Sequence, residues 1–200
     1  KNVVAGIRKG DRIMLAKLVI GGNIVNVINA YAPQVELDDL TMRDFWEQMD
    51  EILQEMPVRE ILILGGDFYG HVGIDKLGYE RVHGGYGFDN RNEAGESILG
   101  FALASDLVVA NTMYKKREEL LITFKSGLVK SQMDYFLVRK VDRLKCNDCK
   151  VIPGESLVSQ HRILVLDLYF RGQYQARKDG GQHRTRWWDL KGDKLEIFKN

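Results

Sequence analysis

Apolar and polar positions change period several times along the chain, and the changes outline its elements. Residues 12–20 and 24–30 are β-branched and alternate in part around Gly21-Gly22-Asn23, which predicts a hairpin closed by a glycine turn. Only residues 1–11 precede it, so the expectation is a sheet that begins abruptly, as in a domain lacking its first strands. From 37 to 56, Leu40, Phe45, Met49, Ile52, Leu53 and Met56 recur at helical spacing and Pro57 follows, the pattern of an amphipathic helix laid on that sheet. Ile61-Leu62-Ile63-Leu64 is then a continuous apolar run entering Gly65-Gly66-Asp67. This predicts a strand buried on both faces whose end opens into a loop.

Residues 70–92, rich in Gly, His, Tyr and Asp, predict a long surface loop. A helix over 93–105 follows, then strands at 107–110, near 121–124, at 132–138, at 151–152 and at 163–169. Alternating strands and helices with several hairpins indicate an α/β fold: two packed mixed sheets flanked by helices, incomplete at the N-terminus. Residues 1–170 read as that domain. Residues 171–200 read as a polar, basic linker with Lys178, Arg184 and Arg186, followed by Trp187-Trp188 and an amphipathic stretch that starts a further segment.

Composition narrows the classes of function. The 200 residues carry 29 Lys+Arg against 28 Asp+Glu, a net charge of +1, so no global field selects a polyanion or a membrane, and any such binding is local. No apolar run reaches the roughly 18 residues of a spanning helix, and the first residues do not read as a signal peptide. The expectation is a soluble, intracellular chain without a membrane partner. Cys146 and Cys149 lack a second ligand pair at finger spacing, which favours reduced structural thiols over half of a zinc site.

Four positions carry candidate chemistry. Asp67 leaves a buried strand at its mouth, where a carboxylate can hold a hard divalent cation or a water nucleophile, or simply cap the loop. His161, ahead of the apolar run 163–168, can serve as acid, base or cationic donor to a phosphoryl oxygen, or be a structural histidine. Asp134 interrupts an apolar strand and needs a partner once buried. Pairing with His161 would satisfy both and raise the imidazole pKa. Tyr31 ends a strand ahead of Pro33, placed either to donate to a phosphate or to pack on the core rim.

Taken in order, Tyr31-Ala32-Pro33, Gly66-Asp67-Phe68, Gln132-Met133-Asp134-Tyr135 and Gln160-His161 resemble the motifs of the endonuclease/exonuclease/phosphatase family. The wording of residues 31–34, 65–73, 83–85 and 151–155 is more similar still to endonucleases of RTE/BovB-type non-LTR retrotransposons. The resemblance covers about residues 1–170, and the segment from Trp187-Trp188 to Gly192 is similar to the stretch that precedes a reverse-transcriptase-like region in such elements. It implies a four-layered α/β sandwich, phosphodiester hydrolysis of DNA with Mg²⁺ (or Mn²⁺), and a nuclear location. By motif, Tyr31 contacts the phosphate, Asp67 orients or deprotonates water, and His161 with Asp134 stabilises the phosphorane. Asn111 lies near the site without an assigned role.

Three departures accompany it. Tyr69 stands where the family has an Asn that binds the phosphate, and a phenol cannot reproduce amide donors. Losing one such donor costs about 2.7–4 kcal/mol of transition-state stabilisation, on the order of 10²–10³ in rate. No Glu precedes Glu36, so the family's principal metal ligand is absent and this chain is not expected to hold the metal well. Gln160 replaces an acidic residue beside the histidine, leaving a weak metal ligand. The sequence therefore implies a catalytically impaired endonuclease. The alternative is a domesticated, non-catalytic module that binds DNA or protein, with loop 70–92 as its surface. DNA contact would be weak and would draw on Arg81, Arg91, Lys115, Lys116, Arg117 and Lys125.

Overall fold

The computed structural model describes residues 3–34, 39–156 and 160–170. In chain order the elements are β1 (Val3–Lys9), β2 (Ile13–Ile20), β3 (Asn23–Tyr31), α1 (Asp39–Glu55), β4 (Ile61–Asp67), α2 (Glu93–Ala104), β5 (Leu107–Val109), β6 (Phe124–Ser126), β7 (Val129–Ser131), β8 (Asp134–Arg139), β9 (Cys146–Ser156) and β10 (Arg162–Leu168). Short 3₁₀ turns fill 110–113, 118–120 and 140–145. The expected linker and the segment after it, 171–200, lie outside the described residues.

A six-stranded mixed sheet runs β1-β2-β3-β4-β8-β5, with a two-stranded β9–β10 sheet and a β6–β7 ribbon beside it. The β2–β3 hairpin forms as its pattern predicts. Gly21 and Gly22 both have positive φ (57° and 80°), as a two-residue turn matching strand twist requires. The crossover from β3 through α1 to β4 makes the parallel pair of the sheet.

One sheet face carries Ile28, Ala30, Leu62, Leu64, Leu107, Val109, Tyr135 and Leu137, packed against Phe45, Trp46, Met49, Ile52 and Leu53 of α1 and Ile98, Leu99, Phe101 and Ala102 of α2. Trp46 joins the two helices and the sheet: its ring lies 4.9 Å from Phe101 and stacks on Phe68 at 6.3 Å. Residues that alternate with these, Val25, Ile61, Val108 and Val138, are buried outside that cluster, as are Cys149 and Val151 of β9.

Several expectations change. Residues 3–9 form a strand that the sequence reading passed over, because Gly6 and two basic residues break its apolar run. Leu40, counted on the apolar face of the helix, is 74% exposed. The segment 121–123 is not a strand; pairing begins at Phe124. Loop 70–92 is a long loop as expected and exposes Ile74 and Leu77, but Val72, Tyr79, Val82 and His83 within it are buried. It is fastened by the His83 Nε2 contact to Gly73 O (3.1 Å), by Gly85 N donating to His83 Nδ1 (3.0 Å), and by the Arg91 guanidinium over the Tyr79 ring at 4.8 Å. Burial pushes the His83 imidazole down to about 4, so it is neutral at physiological pH. Both cysteines are free thiols, with burial pushing Cys146 up to about 11 and Cys149 also upward.

Candidate active site

Strand register assembles the site. Tyr31 pairs with Asp67 across β3–β4, and Asp67 pairs with Asp134 across β4–β8, so three predicted site residues form one row over adjacent strands. By the two-residue alternation of a strand, their side chains leave the face opposite the helices. The glycines before Asp67 allow the strands to close up: a Cβ at Gly66 would lie 1.8 Å from Ala30 O, and one at Gly65 2.6 Å from the Phe136 ring. Backbone bonds continue the row past the strand ends, from Ala32 N to Asp67 O (2.8 Å) and from Phe68 N to Met133 O (2.9 Å).

His161 enters from the start of β10. Its Nδ1 lies 3.1 and 3.3 Å from the Asp134 carboxylate oxygens, and its Nε2 3.8 Å from Asp67 Oδ2. The Phe124 ring meets the imidazole edge to face at 5.1 Å. Asp134 next to Nδ1 fixes a ring whose Nε2 is turned toward Asp67, an orientation suited to charge transfer on that side.

Asp67 is 7% exposed, and its two oxygens have different environments. Oδ1 accepts from Tyr69 N (3.1 Å) and caps the loop, while Oδ2 is buried without a hydrogen-bond partner. The loop cap is thus formed by one oxygen, and the other is left without a hydrogen-bond partner. Burial, then repulsion from Asp134, pushes the Asp67 carboxyl up to about 6, against the Tyr69 amide and His161. Asp134 is also pushed upward by burial, opposed by hydrogen bonds from Thr123 and His161.

Tyr31 is 45% exposed rather than packed on the core, and its hydroxyl lies 2.5 Å from that of Tyr69. That hydrogen bond, then burial, pushes the Tyr31 phenol up to about 12. Tyr69 has φ 49°, in the left-handed region that a bulky side chain rarely adopts, and Gln34 Nε2 reaches its hydroxyl at 3.4 Å. Two phenols are therefore bonded to each other at the strand ends that carry Asp67.

The remaining candidates sit apart. Gln160 is exposed, its Nε2 on Ser126 Oγ at 2.9 Å. Asn111 is 2% exposed, its amide donating to Asp134 O (3.1 Å) and accepting from Phe136 N (2.8 Å), so it braces β8 from behind. Among the basic residues, Arg91 is drawn into loop 70–92, Lys116 pairs with Asp148 and Arg117 with Glu119, leaving Arg81, Lys115 and Lys125 exposed. The sequence reading missed Tyr135. Its buried hydroxyl accepts from Val72 N (3.2 Å) and lies 3.0 Å from Gly70 O and 2.5 Å from Gln132 O, tying the loop to the strand that carries Asp134. A buried phenol beside an acidic motif residue was the available signal.

Asp67, Asp134 and His161 offer one ligand atom each within 4.8 Å of one another. The oxygen that suits a hard cation is the unpartnered Asp67 Oδ2. No family model matches the chain. Over 168 residues it is 27% identical to craniofacial development protein 2 of Bos taurus, covering 82% of this chain and 28% of that protein. Its structure resembles the endonuclease domain of TRAS1, a telomere-specific non-LTR retrotransposon, with TM-score 0.58 and 15% identity over 82% of this chain and 67% of that one. It also resembles an AP endonuclease from Archaeoglobus fulgidus, with TM-score 0.57 and 19% identity over 84% and 70% of the two chains.

The chain has the endonuclease/exonuclease/phosphatase fold. Against that fold the row Tyr31–Asp67–Asp134 lies at strand ends on the face turned away from α1 and α2, with β9–β10 as the smaller second sheet. The chain spans about a quarter of the length of the craniofacial development protein 2 it matches. No described helix is long and apolar enough to cross a membrane.

Proposed function

We propose that this domain is a metal-assisted DNA phosphodiesterase derived from a retrotransposon endonuclease and slow as it stands. The observation that carries the reading is the buried Asp67 Oδ2, without a hydrogen-bond partner, facing the pair made by Asp134 of the neighbouring strand and His161 at the start of β10. Structural carboxylates are normally satisfied; one left open beside a histidine is suited to a water, a proton or a cation.

In this reading Asp67 orients and deprotonates the attacking water. His161, held by Asp134, donates from Nε2 to a non-bridging oxygen as negative charge grows there. Tyr31 donates its phenolic hydrogen to the same phosphate. It can do so at neutral pH because its phenol stays protonated to about 12. Asp67 is the residue that would hold Mg²⁺ or Mn²⁺, which when bound would polarise the phosphoryl oxygen as a Lewis acid. Gln160, directed to Ser126, is not positioned with that group. DNA is the proposed substrate and a nuclear location the proposed setting, with a reverse-transcriptase-like region beyond residue 200 in the full-length protein.

Slow turnover follows from Tyr69. Its hydroxyl bonds that of Tyr31, so it competes with the phosphate for the phenol that should meet it. The same contact favours the second reading, a binding module that has lost its chemistry.

Nicking of supercoiled plasmid in Mg²⁺ tests both. The expected result is weak nicking that EDTA, Asp67→Ala and His161→Ala each abolish, rising on the order of 10-fold or more in Tyr69→Asn. No nicking by any variant, with DNA binding intact in Asp67→Ala, would leave the binding module standing.

A further inference from the structure

Asp134 and His161 meet at 3.1 Å, yet β8 and β10 are not hydrogen-bonded neighbours: one lies in the six-stranded sheet, the other in the β9–β10 pair. Residues 123–125 lie between them. Lys125 N donates to Gln160 O (2.9 Å), Arg162 N donates to Thr123 O (2.8 Å), and Phe124 forms a bridge with His161. On the other side, Thr123 Oγ1 accepts from Met133 N (3.0 Å) and Asp134 N (3.1 Å), and Thr123 N donates to Ser131 O (3.0 Å).

We infer that Thr123 is a positioning residue that sets the Asp134–His161 pair, its hydroxyl gripping the start of β8 while its carbonyl holds the start of β10. This rests on the proposed phosphodiesterase only for its consequence in catalysis; the geometry stands without it. Thr123 is fully buried, so each of these bonds forms away from water and a lost partner is not replaced. Its hydroxyl also bonds toward the Asp134 carboxyl, and that bond opposes the burial that raises this group. Charged groups facing His161 are Asp134 from β8 and Asp67 from β4; on the 123–125 segment its neighbour is the uncharged Phe124 ring. A branched hydroxyl residue at this point supplies an acceptor for two amides at once, which neither Val nor Ala can do.

The test compares Thr123→Val, which keeps the shape, with Thr123→Ser, which keeps the hydroxyl. In the whole chain without metal or DNA, the downfield ring N–H proton of His161 is read by NMR and assigned by its loss in Asp134→Ala. The expected result is loss or a marked upfield shift in Thr123→Val and retention in Thr123→Ser. Nicking should fall in parallel by about 10–100-fold in kcat with KM little changed in Thr123→Val, and recover in Thr123→Ser. A native-like resonance in Thr123→Val overturns the inference. If Thr123→Val does not fold, Thr123→Ser decides: a resonance lost there means that the methyl group, not the hydroxyl, sets the pair, which equally overturns it. A resonance that responds as expected in a chain without nicking sinks the phosphodiesterase and spares the positioning role.

Discussion

Asp67 puts chemistry and stability in opposition at a single residue. Its carboxyl titrates at about 6 in the fold and near 3.8 in an unfolded chain, because burial and Asp134 disfavour the charge. A raised carboxyl pKa adds stability below the unfolded value and loses it as pH climbs through the folded value, so at pH 7 the ionised group costs about 2–3 kcal/mol. Asp67→Asn keeps an acceptor for the Tyr69 amide and removes that charge. It should raise the melting temperature at pH 7 by several degrees and give no gain at pH 3.5, as thermal melts across pH will show; equal effects at both would contradict the raised pKa. Asp67, Asp134 and Tyr31 were legible as candidates in the sequence because each interrupts or ends an apolar strand, and His161 because it immediately precedes one. Thr123 was not, and Asn111 was placed near the site without a role, since their work is to hold backbone groups of β8, and the register between separate segments is not written in either one's neighbours.

Between elements, a buried polar junction joins three pieces on the helix side of the sheet. Glu60, 5% exposed before β4, accepts from Asn26 of β3 (2.7 Å) and pairs with Lys17 of β2 (2.9 Å). Burial alone would raise its carboxyl, but the bonds from Asn26 and Lys17 outweigh it and the net shift is downward. Removing the acceptor leaves Asn26, itself 1% exposed, without its partner. Glu60→Ala should therefore cost about 2 kcal/mol, below the full value for a sealed ion pair because Lys17 is partly solvated. Urea denaturation should show a lower midpoint at unchanged slope. Helices and central strands were readable from apolar period, since α1 buries Phe45, Met49, Ile52 and Leu53 as their spacing says, with Leu40 at its first turn the exception. The loop over 70–92 was readable as a loop, but its glycine and polar content hide how firmly Tyr79, Val82 and His83 are packed.

For the whole molecule, the decisive feature is which strand is left at the rim of the large sheet. A hairpin at the start of the sheet would leave β2 at the rim, but β2 is paired on both sides and β1 takes the rim among the described residues. β1 exposes Val3 (66%), Val4 (63%) and Ile7 (58%), with one row of backbone groups unpaired in the sheet. An apolar edge of this kind templates addition of another strand, and natural sheets blunt such edges with charge. Arg8 and Lys9 supply some, but Arg8 is drawn back to Asp11 and Lys9 to Glu51, which leaves the centre of the strand apolar. Ile7→Lys should then lower concentration-dependent association, read by light scattering, while plasmid nicking and the His161 ring N–H resonance stay unchanged. The site row begins at Tyr31 on β3, with β2 between it and the rim, so a charge on β1 has no contact through which to disturb it. Association unchanged in Ile7→Lys would mean that the bulge between Val3 and Ala5 already turns this edge away from pairing.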